Sequence, residues 1–247
     1  RPFDLTRDRL FRARLVALGD GHVLLLTMHH IVGDGWSKSV LLRELPLFYN
    51  AYRAAEEPVL PPLPIQYVDF ALWQRQWLDG DAVERRTRYW REQLADLPPA
   101  VTLPPDRPRP PVLTFGGAVH RFVVPRDVAD RLRELSYSES ATLFMTLLAA
   151  FQVLLMRYCG TADVAVGTPI AGRVREELDG LVGLFVNTLV MRADLSGNPR
   201  FTDVLRQVRS RALDAYSHQK VPFEQVVDML QPPRDLSRNP LVQVLFW

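Results

Sequence analysis

The 247-residue sequence contains one cysteine, Cys159, and almost no charge imbalance, with 30 Lys+Arg against 28 Asp+Glu and a formal net charge of +2. A single thiol excludes an intrachain disulfide and a cysteine-based zinc site, and it fits a reducing, cytoplasmic setting. Charges that nearly cancel, with no dense basic run, exclude nucleic acid as the implied partner. A long apolar run is also missing. The most apolar stretch, 143–158, is broken by Thr146, Gln152 and Arg157, which makes it a buried helix and leaves no membrane span. No signal peptide opens the chain, and a start at Arg1 is expected for a piece cut from a longer polypeptide. The sequence has neither a Gly-x-Ser-x-Gly nucleophile elbow nor a phosphate-binding Walker loop. His22, His120 and His218 show no ligand-like spacing, so no metal is expected.

What is present is a globular composition, 47% hydrophobic and 23% charged, enough for one large core or two smaller ones. The apolar run at 23–28 predicts a buried strand ending at a histidine pair. Leu41, Leu45, Phe48 and Tyr52 share a helical face over 38–55, interrupted at Pro46, where a kink is expected. A second helix is predicted over 83–94. The stretch 98–111 then carries seven prolines and excludes a helix or central strand, so it reads as a semi-rigid connection. That divides the chain into 1–97, a linker at 98–112, and 113–247. The second part alternates: strand 119–124, helix 127–135, buried helix 143–157, strands 163–168 and 185–192. Asn198-Pro199 provides a cap and first-turn proline for a helix through Ala212; helix 223–230 and a final strand at 241–246 follow. Strands and helices on both sides of a proline linker imply an α/β fold in two subdomains.

The chemistry concentrates at HHIVGDGWS, residues 29–37. Successive side chains of an extended strand face opposite ways, so one histidine is held inside and the other reaches a cleft. Gly33 and Gly35 around Asp34 predict a tight turn with special backbone angles, able to aim a carboxylate back at the strand. A histidine near neutral pKa beside a carboxylate has the ingredients of general acid–base catalysis. A histidine pair also serves structural ends in many proteins, and spacing alone leaves His30 as a candidate base. Cys159, ending an apolar helix, reads as core or surface and not as a nucleophile.

Residues 29–35 match the H-H-x-x-x-D-G motif of nonribosomal peptide synthetase condensation domains, and Trp36-Ser37 matches its extension. Four further segments resemble the same family in the same order: YVDFALWQ at 67–74, VGLFVNTL at 182–189, HQKVPFE at 218–224 and RDLSRNPL at 234–241. Agreement at five ordered sites is beyond chance. The resemblance implies two chloramphenicol-acetyltransferase-like subdomains in a V arrangement, with mixed sheets flanked by helices and an active site in a tunnel between them. It further implies a middle portion of such a domain, without its opening strand and helix and its last segment.

By the same resemblance, donor and acceptor carrier proteins deliver acyl groups as 4'-phosphopantetheine thioesters, and no cofactor binds directly. His30 would accept the acceptor amine's proton or hold the amine in line. Asp34 would be structural, pairing with an arginine, for which Arg173 is a candidate within the chain. His29 and Gly35 would shape the turn, and Trp36, Ser37, Asn187 and Arg173 are candidate substrate-binding residues. Adjacent adenylation and epimerisation domains of one megasynthase are implied partners. Tyr67, Trp73 and Trp77 read as core or as a substrate path, Glu224 as a first-turn helix charge, and Arg234, Asp235 and Arg238 as a turn network. The segments at 43–49 and 231–244 resemble domains accepting a D-configured donor. Two other readings share the motif: an epimerisation domain, and a non-catalytic domain that recruits a partner enzyme.

Overall fold

The structure is a computed structural model that describes residues 1–247 except Asp81, 98–102, Phe115 and Arg234, and describes no side-chain environment for Ala82. Its described residues group into two compact units, 1–79 with 171–186, and 80–170 with 187–247. The chain therefore changes unit at Gly80, Ala171 and Asn187. Residues 103–112 of the proline-rich stretch lie within the second unit.

In the first unit β1 (Phe11–Leu18) and β2 (Gly21–Met28) form an antiparallel hairpin in which Leu18 pairs with Gly21. Its two-residue connection begins at Gly19, φ +55, a conformation that glycine adopts without the steric penalty of a Cβ. β2 confirms the expected strand but corrects its burial. Val23, Leu24, Leu25 and Leu26 are all exposed, Leu25 to 49%, because among the described residues the sheet has only two strands. A turn of 3-10 helix at His30–Val32 leads into α1 (Gly35–Arg53), which runs through Pro46 as a single helix. α2 (Tyr67–Trp77) closes the first part of the unit. Its Phe70 packs with Leu178, Leu181 and Phe185 of the 171–186 segment, flanked by Ile65 and Tyr67.

The second unit holds α3 (Ala82–Gln93), α4 (Arg126–Ser138), α5 (Leu143–Cys159), β3 (Asp163–Ile170), β4 (Asn187–Asp194), α6 (Phe201–Ser217) and α7 (Phe223–Leu230). α5 starts on the Thr142 hydroxyl, which accepts from Met145 N at 3.2 Å, and stops at Gly160 with φ +67. Ser/Thr at the entry and a left-handed glycine at the exit satisfy the orphan groups of a helix. Leu148 and Leu155 of α5, Val164 and Val166 of β3, Leu189 of β4, and Leu205 and Ala212 of α6 make the buried core of this unit. Each fully buried leucine contributes about 1.5–3 kcal/mol. Among the described residues no single helix is long and apolar enough to cross a membrane.

Three expectations are corrected here. Residues 119–124 form no strand; Val119, Phe122 and Val123 are exposed, and the segment pairs with no neighbouring strand. α6 begins after Arg200, not on Asn198-Pro199, and has no side-chain cap, while Asn198 itself turns left-handed at φ +52. The final segment reduces to one parallel bridge, Gly167 to Leu245, held by Gly167 N to Val244 O and Phe246 N to Gly167 O, both at 2.9 Å. Gly167 permits that approach, since a Cβ there would lie 2.8 Å from Val242 Cγ2.

Candidate active site

The histidine pair sits where the β1–β2 ladder ends. His29 N–H donates to Leu10 O at 2.9 Å, and the chain then turns, with Val32 N bonded to His29 O (3.1 Å) and Gly33 N to His30 O (3.3 Å). Extended geometry thus stops at His29, and strict alternation does not carry through the pair. The two rings still separate. His29 is half-buried, edge-on to Phe3 at 5.7 Å, and its Nδ1 accepts from Ile31 N at 3.1 Å. An accepting Nδ1 places the neutral ring's proton on Nε2. His30 is exposed, and among the described residues no hydrogen-bond partner reaches its ring.

The flanking glycines differ from expectation. Gly33 has φ −178, extended backbone that any residue adopts. Its need for glycine is contact, since a Cβ would strike Met28 Sδ and Cε. Gly35 opens α1, and a Cβ there would meet nothing within 4 Å.

Asp34 does not aim back at the strand. It caps α1, and its buried carboxylate is spent elsewhere: Oδ1 accepts from Ser37 N and lies 2.8 Å from Ser37 Oγ, and Oδ2 accepts from Phe185 N at 3.0 Å. Arg173 lies at 3.5 Å from Oδ1, both side chains almost fully enclosed. Burial alone would raise the Asp34 pKa. The N–H groups of Ser37 and Phe185, the Ser37 hydroxyl and Arg173 together outweigh it and hold the carboxyl below its ordinary range. Burial likewise pulls Arg173 down, against the opposing charges of Asp34 and Asp179. The Arg173 guanidinium stacks over the Phe185 ring at 4.0 Å and bonds to Leu178 O, while its Nε has no partner among the described residues.

The remaining candidates fall in two places. Ser37 is fully buried beside Asp34, and Trp36 is 44% exposed with Nε1 donating to Asp179 O at 2.9 Å. Asn187 belongs to the second unit. Its Nδ2 donates to Gln219 O (2.9 Å) and Val221 O (2.8 Å), and its Oδ1 accepts from Thr188 N and Phe223 N. It therefore clamps the HQKVPFE turn with its whole amide. Tyr67 donates to Leu184 O at 3.0 Å and packs on Phe185 in the core cluster, whereas Trp73 and Trp77 stack on each other at 6.1 Å. Glu224 lies in the first turn of α7. Asp235 accepts from Ser237 N and pairs with Arg238 at 3.4 Å, a turn network; Arg234 lies outside the described residues. Burial pushes the Cys159 thiol up, away from a reactive thiolate.

Phe185 and Gly183, which complete the Asp34 cage, were legible only as part of a motif. Nothing local links them to Asp34, 151 residues earlier for Phe185.

An α/β fold with an exposed histidine, on a turn anchored by a buried aspartate–arginine pair, defines the class. The condensation domain family profile matches residues 1–247. The chain therefore belongs to the condensation domain family. It is 51% identical over 247 residues to one of the linear gramicidin synthase proteins of Brevibacillus parabrevis, covering 100% of this chain and 3% of that protein. The X-domain of teicoplanin biosynthesis, solved in complex with OxyB, superposes with a TM-score of 0.94 at 33% identity, over 99% of this chain and 55% of that one. A four-domain nonribosomal peptide synthetase bound to AMP and glycine gives 0.84 at 30% identity, over 99% and 18%. The chain thus spans a small part of the curated synthetases and about half of the X-domain.

Proposed function

We propose that this chain carries the amide-forming site of a nonribosomal peptide synthetase, joining acyl or aminoacyl groups presented as phosphopantetheine thioesters by donor and acceptor carrier proteins. The acceptor's amine nitrogen attacks the donor thioester carbon, the C–N bond forms, the C–S bond breaks, and the donor pantetheine leaves as thiolate. The amine must lose a proton and the thiolate gain one. The observation that supports this reading most is His30, exposed and without a hydrogen-bond partner among the described residues, on a turn fixed from behind by Asp34 and Arg173. His30 accepts the amine's proton or holds the amine in line. Base catalysis contributes about 10²–10⁴-fold, and positioning contributes as much or more.

In this reading Asp34, Arg173 and His29 keep the turn in place, Trp36 borders the substrate, and Asn187 holds residues 219–223 of the second unit. No cofactor binds directly. Adenylation and epimerisation domains adjoin it in one cytoplasmic megasynthase. For the organisation of the chain we keep 1–97, 98–112 and 113–247. The compact units offer a different division at Gly80, Ala171 and Asn187, and limited proteolysis distinguishes the two.

The test is a single-turnover assay with loaded carriers in the complete protein. His30→Ala should lose most amide product, by roughly 10²-fold or more, while both carriers stay loaded. Near-normal product from that variant removes His30 from the chemistry.

The likeness to an X-domain solved with OxyB favours a second reading, a domain that recruits a partner enzyme. Under it, wild-type protein gives no amide from loaded carriers.

A further inference from the structure

Ser37 is wholly enclosed, yet its hydroxyl is the most connected side-chain oxygen of the first unit. Ser37 Oγ lies 2.8 Å from Asp34 Oδ1 and 2.8 Å from Gly183 O; it accepts from Gly183 N at 3.0 Å and from Arg173 at 3.2 Å. One hydroxyl has one proton and two lone pairs, so its acceptor side is filled by Gly183 N–H and Arg173, and its proton is shared between a carboxylate and a carbonyl. It touches the cap of α1, both members of the buried ion pair and the 183–185 segment at once. Space around it is limited on both sides. A Cβ at Gly33 would come to 3.4 Å from Ser37 Cβ, and one at Gly183 would strike the Tyr67 ring.

We propose that Ser37 is a positioning residue for the proposed amide-forming site: its hydroxyl locks the His30 turn, through Asp34, onto Gly183. The inference rests on the reading of His30 given above. It places Ser37 behind the reacting groups, out of reach of any substrate. The line of force is short: Ser37 Oγ fixes Asp34, Asp34 ends the turn, and Gly33 N–H within that turn holds the His30 carbonyl. Without the hydroxyl, Gly183 N–H is left buried without its acceptor and Asp34 with one donor fewer, so the turn can slide against 183–185. Displacements of that kind, about 1 Å, cost on the order of 10²-fold in rate.

The experiment compares Ser37→Ala, Ser37→Thr and His30→Ala with wild type in the complete protein, measuring amide formation from loaded carriers across pH together with melting temperature. Ser37→Ala should lower kcat by roughly 10- to 100-fold, leave the KM for the acceptor carrier within about two-fold, and shift to higher pH the lowest acid limb of the rate profile, on which Asp34 protonates and which lies below any limb set by His30 itself. The shift follows because one of the groups holding Asp34 ionised is gone. Ser37→Thr, which keeps the hydroxyl, should return the acid limb to its wild-type place even if its added methyl costs stability. A Ser37→Ala protein with the wild-type rate and profile overturns the proposal. So does a rate loss that is the same at every pH and follows melting temperature alone. If His30→Ala stays active while Ser37→Ala moves the acid limb, the reading of His30 fails and the Ser37 lock stands.

Discussion

At the scale of single residues the decisive quantity is the cost of burying charge. Asp34 and Arg173 are both enclosed, and removing one member of such a pair leaves the other without compensation, a loss of about 3–5 kcal/mol. Asp34→Ala should therefore lower the unfolding free energy by that order as well as the activity. Because the folded pKa of Asp34 lies below its unfolded value, its contribution is fully present above the ordinary carboxylate range, near 4. It is lost as pH falls through the lowered folded pKa. The stability gap between wild type and Asp34→Ala should thus be widest near neutral pH and narrow below about pH 4, as read by urea unfolding at a series of pH values. A gap that does not change with pH would mean that the carboxylate's charge contributes nothing. The placement of the two histidine rings is legible in part from sequence. Among the described residues one ring is held and the other has no hydrogen-bond partner, as alternation implies, but alternation is not the cause, since the chain leaves extended geometry at His29.

At the scale of elements, local pattern serves wherever an element is decided by its own residues or by a deep core. α5, with its threonine entry and glycine exit, can be read from sequence, as can β3, buried over five successive positions. Pattern fails where the outcome depends on a distant partner. Residues 119–124 carry the β-branched and aromatic residues of a strand but find no neighbour, and 241–246 pair with β3 at one point only. β1 is apolar at 11, 13 and 15–18 around the arginines at 12 and 14, and the glycines around Asp20 mark its hairpin. The segment 171–186 carries no strand or long helix, yet it supplies three residues of the first unit's core and the cage of Asp34. Its ends meet where Gly172, φ +67, lies against the Phe185 carbonyl, too close for any Cβ. Sequence alone leaves Asn187 between substrate-facing and structural duty. Three of its four backbone bonds tie it to the 219–223 turn, the fourth coming from Thr188 N. Asn187→Ala orphans several buried groups and should cost at least about 1–3 kcal/mol, seen as a lower denaturation midpoint with unchanged slope. A shift under about 0.5 kcal/mol, the ordinary range for surface changes, would mean that the clamp is dispensable.

At the scale of the molecule, composition bounds the possibilities and five ordered motifs fix the family, because each motif is a cluster of contacts whose partners lie far away in sequence. The division into compact units is not legible. Proline density marks where the chain is stiff, whereas the contacts place the crossings at Gly80, Ala171 and Asn187. Chemistry at this scale reduces to one question, whether the proposed site forms an amide, exchanges a proton, or does neither because the domain recruits a partner enzyme. Loaded donor and acceptor carriers should be mixed with the wild-type complete protein in deuterium oxide, and the carrier-bound products weighed by mass spectrometry. Condensation predicts an amide on the acceptor carrier with no deuterium at the donor's α-carbon. Deuterium at that carbon without any amide would contradict it.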